Sequence, residues 1–198
     1  MKLTLRPRNR VLARDLETPR FRLHSLGVRE AWELTKDWRN DLELLKAFAP
    51  WGHTLSTWQW LRHGPLPDNV YRFGYAIIPK QTGRPIGLHG VSLNPGRSAS
   101  CQVALSDRDW WGRDVVVEVR ARLINHFFAH APIDRFRTRS EARNTASVFI
   151  YKRLGFTHVE TLPEARRDAE GRPIPYLVFE MTRQAWAGSP FYEQADVA

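Results

Sequence analysis

The sequence predicts an α/β fold with a mixed α+β sheet: one layered domain whose central, mostly antiparallel, twisted sheet is flanked by helices. Three observations predict it. Strand-rich stretches separated by turn signals fill residues 71–106, an apolar stripe of helical period follows at 117–128, and strand, short helix and two strands then return.

The elements follow in order. Phe21, Leu23 and Leu26, with Arg22 and His24 between the first positions, read as a first strand entering a turn at Gly27. Ala31, Trp32, Thr35 and Trp38 recur at helical spacing with Glu33 and Lys36 outside the stripe. Leu42, Leu45 and Phe48 suggest a second helix ending before Pro50. A Trp-rich stretch (Trp51, Trp58, Trp60) leads to a loop at Gly64, Pro65 and Pro67. Residues 71–78, 85–93 and 100–106 make an antiparallel meander, broken by a turn at 79–84 and by Asn94-Pro95-Gly96. Val117, Ala121, Ile124 and Phe128, flanked by Val116, Leu123 and Phe127, form a broad apolar helix face, with Glu118, Arg122 and Asn125 off it. Residues 136–140 return to strand. A short helix at 144–154 is capped by Asn144 and stopped at Gly155. The last two strands, 157–161 and 176–182, enclose a polar loop at 164–172.

Composition bounds the function. The 42% hydrophobic and 26% charged content is that of a globular protein, and no apolar run approaches the roughly 18 residues of a membrane span. The single cysteine, Cys101, excludes an internal disulfide framework, and with no secretory signal at the start a reducing cytoplasm is expected. The chain divides into a basic extension (1–17), one domain (18–186) and a tail (187–198). Its net charge of +9 is concentrated early, with seven Lys/Arg up to Arg22 against Asp15 and Glu17. Such a surface attracts polyanions or simply aids solubility, and no RNA-binding signature with interleaved aromatics accompanies it. The seven histidines are scattered; His126 and His130 read as the polar edge of a helix rather than a metal site.

The segment from Ser106 to Asp114 joins a strand to the long helix. Such a junction offers unpaired backbone N–H groups and the positive end of a helix dipole, and Gly112 lets the chain approach a bound group closely. The combination suits an anion such as a pyrophosphate, with Arg113 adding charge; a plain strand–helix connection would look similar.

These residues resemble the GNAT acetyltransferases. Trp110-Trp111-Gly112-Arg113 is similar to that family's aromatic-Trp-Gly-Lys/Arg segment, part of the loop that holds the pyrophosphate of acetyl-CoA. Arg143-Asn144-Thr145-Ala146-Ser147, then Tyr151, then Leu154-Gly155-Phe156, resembles its Asn-x-Ala-Ser … Leu-Gly-Phe segment. Thr18-Pro19-Arg20-Phe21-Arg22-Leu23 is similar to the opening of the branch containing ribosomal-protein alanine acetyltransferases. Asp109 and Asp114 depart from the pattern, standing where Gln or Arg and a second Gly or Ala are usual; Asp114 is expected to point outward and cap the helix rather than oppose the phosphates.

The resemblance implies acyl transfer from acetyl-CoA, as cosubstrate, directly to a primary amine on a protein N-terminus or a small molecule. Ala104, Leu105 and Ser106 would pair with the pantetheine, and Trp110, Trp111, Gly112, Arg113, Asp114 and Val115 would line the pyrophosphate turn. Asn144 and Ser147 would help hold the pantetheine, with Asn144 serving otherwise as a helix cap. Tyr151 would protonate the departing sulfur, unless it is only a core aromatic. Glu141 is the candidate base, its alternative being a carboxylate paired with a nearby arginine. Cys101, His89 and His53 read as structural residues. Aromatics between Trp38 and Trp60 and arginines 166, 167 and 172 would wall the acceptor site, the arginines suiting an acidic acceptor. Two further readings stay open: a longer acyl-CoA donor, and a non-catalytic module binding acyl-CoA or the ribosome through a degenerate loop. Ribosome association and a homodimer are among the partners the resemblance allows; a membrane is not.

Overall fold

The computed structural model describes residues 9–48, 53–167 and 171–193. Trp51, the last residues of the chain and the tip of the late loop at 168–170 lie outside them. Among the described residues the elements run β1 (Leu16–Glu17), β2 (Phe21–Ser25), α1 (Val28–Thr35), α2 (Leu42–Phe48), α3 (Thr57–His63), β3 (Arg72–Pro79), β4 (Gly87–Asn94), β5 (Ser98–Leu105), α4 (Val115–His130), β6 (Arg135–Glu141), α5 (Thr145–Arg153), β7 (Thr157–Arg167), β8 (Pro173–Thr182) and α6 (Arg183–Ala187). The eight strands form one sheet in the order β1-β2-β3-β4-β5-β6-β8-β7. Every pairing is antiparallel except β5 with β6, which α4 joins as a crossover.

Alternation along β3 shows how the layers arise. Phe73, Tyr75 and Ile77 face a core built with α4 and α5, while Ala76 and Ile78 face a second core built with α1–α3. The sheet is thus buried on both faces, and the α4 stripe (Val117, Ala121, Leu123, Ile124, Phe127, Phe128) fills the larger core as expected.

Several elements differ from the sequence reading. The segment holding Trp58 and Trp60 is a helix, α3, opened by a capping box in which Ser56 accepts from the Gln59 amide and the Gln59 side chain accepts from the Ser56 amide. The polar loop is shorter than expected because β7 and β8 continue to Arg167 and from Pro173. β7 is an edge strand with nearly every side chain exposed and two register shifts, so it carries no apolar alternation. Asn125 and His126 are buried, not polar-edge residues, because the chain ends cover that side of α4. Trp186 of α6 donates its indole N–H to Asn125 Oδ1 at 2.6 Å, and Asn125 Nδ2 donates to the Phe191 carbonyl at 2.9 Å.

From the other end, Leu12 and Leu16 enter the core. The Leu12 carbonyl accepts from the Tyr75 hydroxyl and, at 3.3 Å, from His126 Nε2. Burial, the largest influence, pushes the His126 imidazole down from 6.5 to about 4. Unfolded chains therefore bind a proton that the native state refuses between those values, so His126 makes stability fall as pH drops through that window. The His126→Gln variant is expected to lose less melting temperature than the wild type between pH 6.5 and pH 4, and parallel curves would show that His126 does not govern the acid response.

Candidate active site

β5 and β6 are backbone-paired only at Ser98↔Arg135 and Ala99↔Phe136, although both strands run on for several residues. Beyond that point they part. A side chain makes the last link: Thr138 Oγ1 donates to the Cys101 carbonyl at 3.3 Å. The Tyr151 hydroxyl lies 3.1 Å from the same Thr138 oxygen. With Thr138 donating to Cys101, the phenol must be the donor in that contact. The Tyr151 ring is buried and stacked on Phe179 at 5.2 Å between centroids. α5 supplies Tyr151 because Asn144 starts that helix, its Oδ1 accepting from the Ser147 amide at 3.0 Å.

At the other end of β5 the chain turns into α4. Ser106 folds back on Ile86, and Asp107 caps a single 3-10 turn at Arg108–Trp110. Gly112 takes φ +74°, with no atom within 4 Å of where a Cβ would stand, so the bend is open on that side. Asp114 occupies the left-handed region at φ 58° and makes no side-chain cap, leaving the first amides of α4 without a side-chain acceptor. Its carboxylate pairs instead with Arg153 at the end of α5. This ion pair takes the place of the helix cap that the sequence led us to expect. Val115, the first residue of α4, is buried in the core. Trp110 packs edge-on against Phe21 with the Arg113 guanidinium over its ring at 5.9 Å, and Trp111 donates its indole N–H to the Leu105 carbonyl at 3.0 Å. Arg108 reaches across to Asp41 and Glu43 of the α2 side at 3.2 and 2.7 Å, tying this turn to the other layer.

A parted pair of strands offers unpaired backbone along two facing edges, a phenol in the parting can give up a proton, and an open helix start can meet an anion. Comparison with known proteins decides the lineage. The model of the GNAT acetyltransferase domain matches residues 20–157. The chain belongs to the GNAT acetyltransferase family. As a member it is an acyl-CoA-dependent N-acyltransferase. It is similar to an uncharacterized N-acetyltransferase, p20, of Bacillus licheniformis, with 25% identity over 179 residues, 87% of this chain and 98% of the relative. Among solved structures it resembles the ribosomal L7/L12 alpha-N-protein acetyltransferase RimL in complex with coenzyme A, at TM-score 0.70 and 18% identity over 85% of this chain and 97% of that one. It also resembles spermidine N-acetyltransferase from Vibrio cholerae in complex with CoA and spermine, at TM-score 0.69 and 16% identity over 85% and 99%.

The remaining candidates of this GNAT chain separate clearly. Ala104 is buried and pairs with Leu88, while Leu105 pairs with Gly87. Glu141, at the end of β6, is held by Arg143 at 2.8 Å, Arg166 at 3.1 Å and the Tyr176 hydroxyl at 3.3 Å. That is the paired-carboxylate alternative. Arg167 pairs with Glu164, so two of the three late arginines are neutralised within the chain. The Cys101 thiol is buried, and that burial pushes its pKa up to about 12, which disqualifies it as a nucleophile. His89 is buried, and burial followed by the Arg120 charge holds it far below the ordinary histidine value. His53 is exposed. Trp38 and Trp60 are core residues of the α1–α3 layer and Trp58 is 70% exposed, so these three line no common acyl channel. No described helix is long and apolar enough to cross a membrane.

Sequence reasoning overlooked two residues of this region. Thr138 sits on the inward alternation of β6 with Phe136 and Ser140. Arg120 is 2% exposed at the centre of α4, and its position three after Val117 and four before Ile124 was the available signal: a charge inside an apolar stripe.

Proposed function

We propose that this enzyme moves an acetyl group from acetyl-CoA directly to a primary amine within a ternary complex, with Tyr151 as the general acid. The observation that supports it best is the phenol set where β5 and β6 part, hydrogen-bonded to the threonine that bridges them. Bound acetyl-CoA supplies an activated acyl group and a thiol leaving group. On this reading the backbone of Ala104, Leu105 and Ser106 receives the pantetheine, Trp111 giving up the Leu105 carbonyl to it. The side-chain NH2 of Asn144 adds a donor from the start of α5, beside Ser147. Trp110, Gly112, Arg113, Asp114 and Val115 shape the pyrophosphate turn, where the amides at the start of α4 face the anion. Glu141 is better read as a positioning carboxylate that fixes Arg166 and Tyr176 than as a base, so the amine arrives neutral or loses its proton to water.

Among amines, protein N-termini suit the chain best. An α-amine, with a reference pKa of about 7.7–8.0, is far more often neutral at pH 7 than a lysine-type amine at about 10.4. The net charge of +9 also opposes polycations such as spermine. The test is thiol release from acetyl-CoA with a panel of free-N-terminus peptides and polyamines, run beside thermal stabilisation by CoA. Peptides are expected to turn over faster, and Asp114→Gly, which removes a carboxylate and frees Arg153, is expected to strengthen CoA stabilisation by about 1 kcal/mol. Stabilisation with no turnover on any amine would remove the catalytic reading, and the absence of any CoA response would remove the turn as its site.

A further inference from the structure

Arg120 is a buried cation with no anion to match it. Among the described residues no carboxylate lies within ion-pairing distance, and its Nη1 has no hydrogen-bond partner. Its Nε donates to His89 Nε2 at 3.3 Å, and its Cζ stands 4.7 Å from the centre of the Tyr151 ring. Accepting from a guanidinium obliges His89 to carry its own proton on Nδ1 and to stay neutral, so the histidine orients the charge without cancelling it. A desolvated, unpaired guanidinium is costly to fold around, and a counter-charge that appears during function would offset that cost.

We propose that Arg120 is that counter-charge's partner: a positioning residue, fixed beneath Tyr151 by His89, that stabilises the phenolate formed when the hydroxyl proton leaves. The proposal rests on Tyr151 being the acid. In the step concerned the amine nitrogen forms a bond to the thioester carbonyl carbon, the C–S bond breaks and its electron pair stays on sulfur. The Tyr151 proton passes to that sulfur, the amine nitrogen sheds its surplus proton to water, and the phenolate regains one from water. Among the described residues, the groups that contact the ring carry no other fixed charge. α5 contributes Tyr151 itself, β6 the neutral Thr138, β8 Phe179 with His158 of β7 on its far side, and Phe156 closes the ring's flank. Behind Arg120 stand His89 of β4 and Cys101 of β5, the first neutral and the second a buried thiol.

The test compares the wild type with Arg120→Met and Arg120→Gln, each with and without Tyr151→Phe. The ultraviolet phenolate titration belonging to Tyr151 is the difference between each pair. A cation at this distance is worth about one to two pH units in a protein-like dielectric, so the Tyr151 titration is expected to move up by about that much in both variants. The rate at saturation should fall about tenfold or more with KM for acetyl-CoA unchanged, and melting temperature should hold or rise, since an unpaired charge is removed. An unmoved titration in a folded variant overturns the role of Arg120 whatever Tyr151→Phe does. Full activity of Tyr151→Phe alone overturns the acid reading, and this proposal with it, even if the titration moves. Should one substitution fail to fold, the other gives the same readout.

Discussion

Replacing Tyr151 by Phe is expected to lower kcat by about 100-fold or more while leaving CoA affinity within about twofold. The magnitude follows from the usual contribution of a positioned acid, about 10²–10⁴-fold. The substitution is informative because it removes one oxygen and little else. The Phe ring keeps its stacking on Phe179 and its place over Arg120. Thr138 keeps its acceptor in the Cys101 carbonyl, so no buried donor is orphaned, and the stability loss should stay near 1 kcal/mol. Single-turnover rates with saturating acetyl-CoA, beside equilibrium CoA binding, make the measurement. A Phe variant of undiminished rate would refute the acid assignment.

The second large effect concerns stability. Trp186→Ala is expected to cost about 3–5 kcal/mol, the usual range for removing a buried aromatic. Trp186 is 1% exposed, stacks on Phe191 at 6.3 Å and satisfies Asn125 Oδ1, which then has only the Glu193 amide left. The loss includes detachment of the segment after α6, whose carbonyl at Phe191 is bound by the same asparagine. Urea unfolding gives the number, and a change below about 1 kcal/mol would mean that the chain end contributes little. Catalytic rate in the folded fraction should be unchanged, since among the described residues no hydrogen bond or ring contact joins Trp186, Asn125 or Phe191 to Tyr151.

That contrast marks what could be read from residues alone. The meander, the α4 stripe and the cap at Asn144 were legible because period, turn chemistry and capping are local. So was the GNAT motif, whose residues lie close together along the chain. The roles of Asn125, His126 and Arg120 were not legible in that way. They depend on which distant segments cover α4, and single-helix amphipathicity treats every polar residue as solvent-facing. Arg120 was nonetheless marked by its position inside the stripe. Glu141 shows the opposite difficulty: the sequence left open whether it would be a free base or a paired carboxylate. The answer lay in Arg166 and Tyr176, on two strands that come later in the chain. The far half of β7, beyond Thr161, escaped because an edge strand with solvent on nearly every side chain leaves no apolar trace.

The short pairing of β5 with β6 has a mechanical consequence. Past Phe136 the sheet has two inward borders with no strand between them, so what remains between its halves is the α4 crossover, packing and one threonine bridge. Peptide amides along such borders have no ladder to shield them. In amide hydrogen exchange they should trade protons well before those in β3 and β4, and a guest laid along them would act as the missing rung.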